Sequence, residues 1–152
     1  MTDSTTSQMI EQSLTPHSAL KQLDKLVGRW NVSGPDIHGQ VVFEWMDGGF
    51  FLMQRVDFVH GGNHIKGIEI IGYDRKFGTT EPSTDIKSHW FDNTGNTFDY
   101  TYEVDNATLT IWGGDKGSPA YYKGQWSDDG NINSGAWVYP GGGYESTMTR
   151  VK

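Results

Sequence analysis

From residue 47 onward the chain is cut at close intervals by turn-forming clusters: DGG at 47, GGN at 61, NTGN at 93, DN at 105, DDGN at 128 and PGGG at 140. Asn-Gly, Asp-Gly and Gly-Gly pairs supply the positive φ angles that two-residue hairpin loops need, so each cluster marks a place where one strand turns back on the next. Between them the residues alternate apolar and polar, clearest in TFDYTYEV from Thr97, where Phe98, Tyr100, Tyr102 and Val104 share one face. A chain punctuated in this way forms a meander of antiparallel hairpins.

Cutting at the turns leaves about ten strand segments, the count of an up-and-down barrel. They fall near 28 to 34, 39 to 46, 50 to 60, 64 to 74, 83 to 92, 97 to 105, 107 to 113, 118 to 127, 131 to 139 and 143 to 151. The expected fold is all-β: an antiparallel up-and-down barrel with a short N-terminal helix closing one end. That helix is read from TPHSALKQLDKLVG, with Thr15 as N-cap, Pro16 at the first helical position, Leu20, Leu23, Leu26 and Val27 as an apolar stripe, and Gly28 as the stop. Residues 1 to 14, rich in Ser, Thr and Gln, read as a mobile arm, and 15 to 152 as one domain.

Composition narrows the function classes. There are 20 Gly, 6 Trp, 7 Tyr and 7 Phe, which suits strands and tight turns, and no Cys, which removes disulfides, thiol nucleophiles and cysteine zinc sites. A formal charge of -7 disfavours nucleic acid and anionic membrane as partners. No basic start leads into an apolar run, so a cytoplasmic location is the default expectation, without a membrane span.

Turn lengths fix which residues face inward. A two-residue loop at Asp47-Gly48 sets Trp45 opposite Phe50, Phe43 opposite Leu52 and Val41 opposite Gln54. A two-residue loop at Gly61-Gly62 sets Gln54 opposite Glu69 and points that carboxylate inward, whereas a three-residue loop would turn Glu69 out beside Arg55. A four-residue turn at 93 to 96 places His89 opposite Tyr100; a bulge there would put Trp90 inside instead. Loops at Asp129-Gly130 and PGGG gather Tyr122, Trp126, Asn133, Trp137, Tyr144, Ser146, Met148 and Arg150 on one face. A lining so aromatic, yet containing Gln54, Glu69 and His89, lacks the dense aliphatic filling of a solid core and reads as a ligand cavity.

Barrel closure makes the first and last strands neighbours, so Trp30 of GRWNVSG and Arg150 of TMTRVK meet, guanidinium over indole, in a contact of about 0.5–2 kcal/mol. The pair reads as a structural clamp rather than as ligand contacts. Gly28, Trp30 and Arg150 resemble the signature of the calycin superfamily, which includes lipocalins, fatty-acid-binding proteins and nitrobindins. MDGGFFLMQRVDF, GIEIIGYD and SHWFDNTGN are similar to an uncharacterised bacterial family of lipocalin-like single domains. The resemblance spans roughly residues 20 to 152, implies the fold, and supplies no catalytic residues to carry over. Val32 departs from the nitrobindin Gly-x-Trp-x-Gly-x-Gly, and the last histidine, His89, comes too early in the chain to match the nitrobindin haem ligand.

The leading expectation is binding of a small hydrophobic or aromatic molecule, with Trp45, Gln54, Glu69, His89, Tyr100, Tyr102, Tyr122, Trp126, Trp137 and Tyr144 around it and no cofactor. One alternative is a cofactor-free isomerase, cyclase or hydrolase with Glu69 or His89 as general base, and another is haem binding in the nitrobindin manner, against which the lack of a late histidine stands. His60 and His64 flank a turn but lack a third ligand, so no metal site is expected. GGDKG at 113 and PGGGY at 140 open no helix and read as hairpin turns. An outward row of Phe51, Met53, Trp90 and Trp112 suggests a homodimer contact.

Overall fold

The computed structural model describes residues 15–152, and the expectation of an arm over 1–14 lies outside them. Among the described residues, ten antiparallel strands close into a barrel: β1 (Gly28–Ser33), β2 (Ile37–Trp45), β3 (Phe51–His60), β4 (Asn63–Tyr73), β5 (Ile86–Asp92), β6 (Thr97–Asp105), β7 (Thr108–Gly113), β8 (Tyr121–Trp126), β9 (Ile132–Tyr139) and β10 (Gly142–Arg150). Each strand pairs with its sequence neighbours, and β1 pairs with β10 to complete the ring. The expected strand count and closure are what the structure contains.

The helix differs from expectation. It is a 3-10 helix, Ser18–Leu26, capped by His17, whose Nδ1 accepts the Ala19 N–H at 3.0 Å. Leu20, Leu23 and Leu26 are its buried residues, and their spacing of three matches the three residues per turn of a 3-10 helix. Thr15 and Pro16 lie outside it. Nine residues is long for this helix type, and its C-terminal carbonyls are held by the barrel itself. Trp30 Nε1 donates to Leu26 O at 2.8 Å, Arg150 Nη1 to Val27 O at 2.6 Å and Arg150 Nη2 to Lys25 O at 3.0 Å.

Trp30 and Arg150 face each other across β1 and β10, with the guanidinium 4.2 Å from the indole centroid. Gly28 completes the arrangement, because its φ of 128° is one that L side chains rarely adopt and a Cβ there would stand 2.7 Å from Arg150 Nη1. The helix, Trp30, Leu52, Ile71 and Leu109 make a closed apolar floor.

Registers agree with the loop-length reading wherever the number of residues in the turn keeps its parity. Gln54 pairs with Glu69 and Phe58 with Ile65, Tyr122 pairs with Trp137, and Trp126 with Asn133. Between β2 and β3 the loop is longer than two residues, so Trp45 pairs with Leu52 and Phe43 with Gln54. That slip of two leaves every side chain on its expected face.

Gly124 and Gly135 pair across β8 and β9, and a Cβ on Gly135 would collide with the carbonyl of Lys123 and the Cα of Gly124. Gly135→Ala is therefore expected to cost about 1–3 kcal/mol by overpacking, read as a lowered urea midpoint.

Candidate functional site

The inward rows of the upper barrel mix large rings with small residues. Gly67 and Gly124 make room for rings, Trp90 closing over the first and Tyr122 over the second, while Ser88 and Ser146 put small side chains on the inner face. The result is an internal cavity of about 180 Å³ above the floor, lined by Leu26, Val41, Phe43, Val56, Leu109 and Ile111 below and by Phe58, Trp90, Tyr100, Tyr122, Trp137 and Tyr144 around it. The rings touch one another: Tyr100 and Trp137 have centroids 5.9 Å apart, and Tyr122 and Trp137 5.6 Å. At the rim His60 stacks against Tyr144 at 4.3 Å.

Among the described residues, Glu69 is the one acidic side chain in this lining, and it is 5% exposed. Its strand neighbours are Gln54 on β3 and Trp90 on β5. Ser88 Oγ donates to Oε2 at 2.5 Å, and Tyr102 Oη lies 2.8 Å from both carboxylate oxygens. Burial pushes the carboxyl up to about 7, against the pull of the two hydroxyl donors. No described Lys, Arg or His lines the cavity to offset it. The Tyr100, Tyr102 and Tyr122 hydroxyls are pushed well up by burial, and that of Tyr144 to about 12, so these groups stay protonated across the neutral range.

Gln54, Glu69, Tyr100, Tyr102, Tyr122, Trp137 and Tyr144 thus stand around one space. Three expected lining residues do not. Trp45 lies at the floor with its indole N–H on Asp24 Oδ1 at 2.7 Å. Trp126 is buried beside the helix, with Lys25 Nζ 5.3 Å from its ring centroid. Both sit one layer below the cavity because the helix occupies that end of the barrel.

His89, the third, is turned to the outside. It pairs with Asp99 rather than Tyr100, and its imidazole bridges Asp99 (2.7 Å) and Asp74 (3.0 Å). Ser88 and Trp90 take the inner positions, so the bulged alternative is the one adopted. Phe91 pairs with Thr97, which leaves five residues, 92–96, in the turn. Asp92 folds that turn: its carboxylate accepts from Thr94 Oγ1, Trp90 Nε1, Thr94 N and Asn96 N. The Thr94 hydroxyl and the Trp90 indole do most to hold its pKa down at about 2. The sequence signal is the Asp two residues before Thr94, an Asx-turn pattern, and the longer turn that it builds is what brings Ser88 to Glu69.

The carboxylates of Asp99 and Asp74 hold the His89 pKa above its usual value. A raised imidazole stabilises the fold below the unfolded-state pKa, and the effect fades as pH rises through the folded value. His89 is 45% exposed, so the contribution is screened. His89→Ala is expected to lower stability at pH 5 by under about 1 kcal/mol, with a smaller loss at pH 9, and to leave the cavity unaltered, as denaturation and ligand titration would report.

Other expectations take a definite place. Arg55 pairs with Glu44 at 3.4 Å, on the outer face away from Glu69. His64 binds Asp57 at 2.6 Å outside while His60 faces the rim, so the two imidazoles do not converge. Trp90 leaves the outward row. Phe51 and Met53 on β3 are four strand spacings from Trp112 on β7, about 19 Å along the wall, and do not form one patch. Among the described residues no helix is long and apolar enough to cross a membrane. Compared with known families and curated proteins, the chain matches no family model and no curated sequence.

Proposed function

We propose that this protein binds one small apolar or aromatic molecule inside the barrel. The observation that carries the reading is the cavity of about 180 Å³, ringed by aromatic side chains and bearing polar groups from Gln54, Glu69 and Tyr100. A dry apolar cavity of about 150 Å³ accepts benzene, so this space suits a compact one-ring molecule. Haem would find no axial histidine among the described residues of the lining and too little room. The meeting of Gly28, Trp30 and Arg150 supports a calycin-like ancestry for the scaffold.

Trp90 and Trp137 line the cavity and report on its contents. Titration with toluene is expected to change their fluorescence saturably, and Ser146→Leu, which fills the cavity from β10, is expected to weaken binding at least tenfold. A linear, unsaturable response, or equal affinity in the filled variant, would refute the reading.

A second reading, a cofactor-free isomerase, cyclase or hydrolase, is favoured by the buried Glu69 carboxyl held near neutrality, where a general base works best. His89, outside the cavity, has no part in it. A turnover that survives Glu69→Gln unchanged would remove this reading.

A further inference from the structure

Resting on the cavity reading above, we propose that the ligand is a compact aromatic amine, held as an ammonium ion between the Glu69 carboxylate and the ring cluster of Tyr100, Tyr122 and Trp137. Glu69 accepts hydrogen bonds from two hydroxyl groups, Ser88 and Tyr102, and such an arrangement is built for the ionised form. A carboxylate offers about four acceptor positions, so at least one remains for a donor inside the cavity. Among the described residues the site lacks a positive charge. No described cation lines the space, and the guanidinium of Arg150 is held below the floor by the carbonyls of Val27 and Lys25.

An ammonium ligand supplies that charge, and Tyr100, Tyr122 and Trp137, which line the same space, are side chains of the kind that take cations by cation–π contact. A neutral ligand leaves the carboxyl uncompensated, and an anionic ligand is repelled. The ligand class follows from the wall: an aromatic body against the apolar lower layer and a cationic head at Glu69. Binding is coupled to proton release, because the ammonium ion favours the ionised carboxylate.

The titratable groups facing Glu69 are Tyr100 and Tyr102 on β6, Tyr122 on β8 and Tyr144 on β10, all protonated between pH 6 and 8, with His60 on β3 at the rim. Glu69 is therefore the group whose ionisation sets the pH dependence in that range, and the affinity of an amine rises about tenfold from pH 6 to pH 8.

The test is calorimetric titration of the full chain with benzylamine, toluene and benzoate. At pH 8 benzylamine is expected to bind at least tenfold more tightly than toluene, and benzoate at least tenfold more weakly. Glu69→Gln is expected to erase the preference for benzylamine while retaining toluene, and His60→Gln to keep the pH dependence. In the unmutated protein, toluene affinity is expected not to rise with pH. If toluene binds and benzylamine binds no more tightly, or if benzylamine affinity is flat with pH, the amine assignment falls and the cavity reading stands. If none of the three binds, both fall.

Discussion

Trp30→Ala is expected to lower the free energy of unfolding by about 4 kcal/mol, within the range for truncating a fully buried indole. Trp30 is 0% exposed, so the change opens a cavity of indole size in the floor. It also frees the Leu26 carbonyl, which loses its indole donor, and leaves the Arg150 guanidinium without the ring beneath it. All three losses fall where β1 meets β10 and where the 3-10 helix is tied down, so packing, helix capping and ring closure weaken together. Against a total of about 5–15 kcal/mol for a domain, such a loss removes a large share of the stability. Urea denaturation measures it, with Phe77→Ala as the control: Phe77 is fully exposed, and its truncation is expected to change stability by less than about 0.5 kcal/mol. A loss below about 1.5 kcal/mol for Trp30→Ala would show that the barrel does not depend on this closure.

Glu69→Gln is expected to raise stability at pH 8.5 by roughly 3 kcal/mol, a gain obtained by removing a group the interior does not neutralise. The carboxyl rises from an ordinary value of 4.5 to about 7 in the folded protein. Between those two values the native state holds a proton that the unfolded chain has released, so the stability of the unmutated protein falls as pH increases across that window. Below pH 4.5 both states are protonated and the two proteins are expected to be alike; above pH 7 the full difference is present. The amide keeps an oxygen for the Ser88 and Tyr102 hydroxyls, which limits the disturbance to the hydrogen bonds. Denaturation midpoints at pH 4.5, 6, 7 and 8.5 give the slope directly. A variant as pH-dependent as the parent, or less stable at pH 8.5, would mean that Glu69 is compensated in the folded state. Among the described residues no cation lines the cavity beside Glu69, which connects this stability measurement to the ligand chemistry proposed above.

Much of the fold is legible in the residues alone. The Gly61-Gly62 pair, with φ of 56° and 81°, makes the two-residue loop expected of it, and that loop alone sends Glu69 inward opposite Gln54. A two-residue loop at Asp47 is too short, yet Phe43 and Val41 stay on the inner face because the difference is an even number of residues. At 93–96 the difference is one residue, and it exchanges His89 for Ser88 and Trp90. The leucines at 20, 23 and 26 fit an amphipathic helix of either kind, and the contacts of Trp30 and Arg150 with its final carbonyls accompany the tighter form.

By itself, then, the amino-acid order determined the strand number, the places where the chain reverses and the alternation along each strand, because these depend on backbone dihedral preferences and on a two-residue period that every short segment carries. Only the tertiary structure decided which face follows the Asp92 turn, which of the inward aromatics pack as floor and which border open space, and that a hollow remains at all. The reason is that a void is the difference between the volume enclosed by ten strands and the summed volume of the side chains they point inward, a quantity that no local stretch of sequence contains.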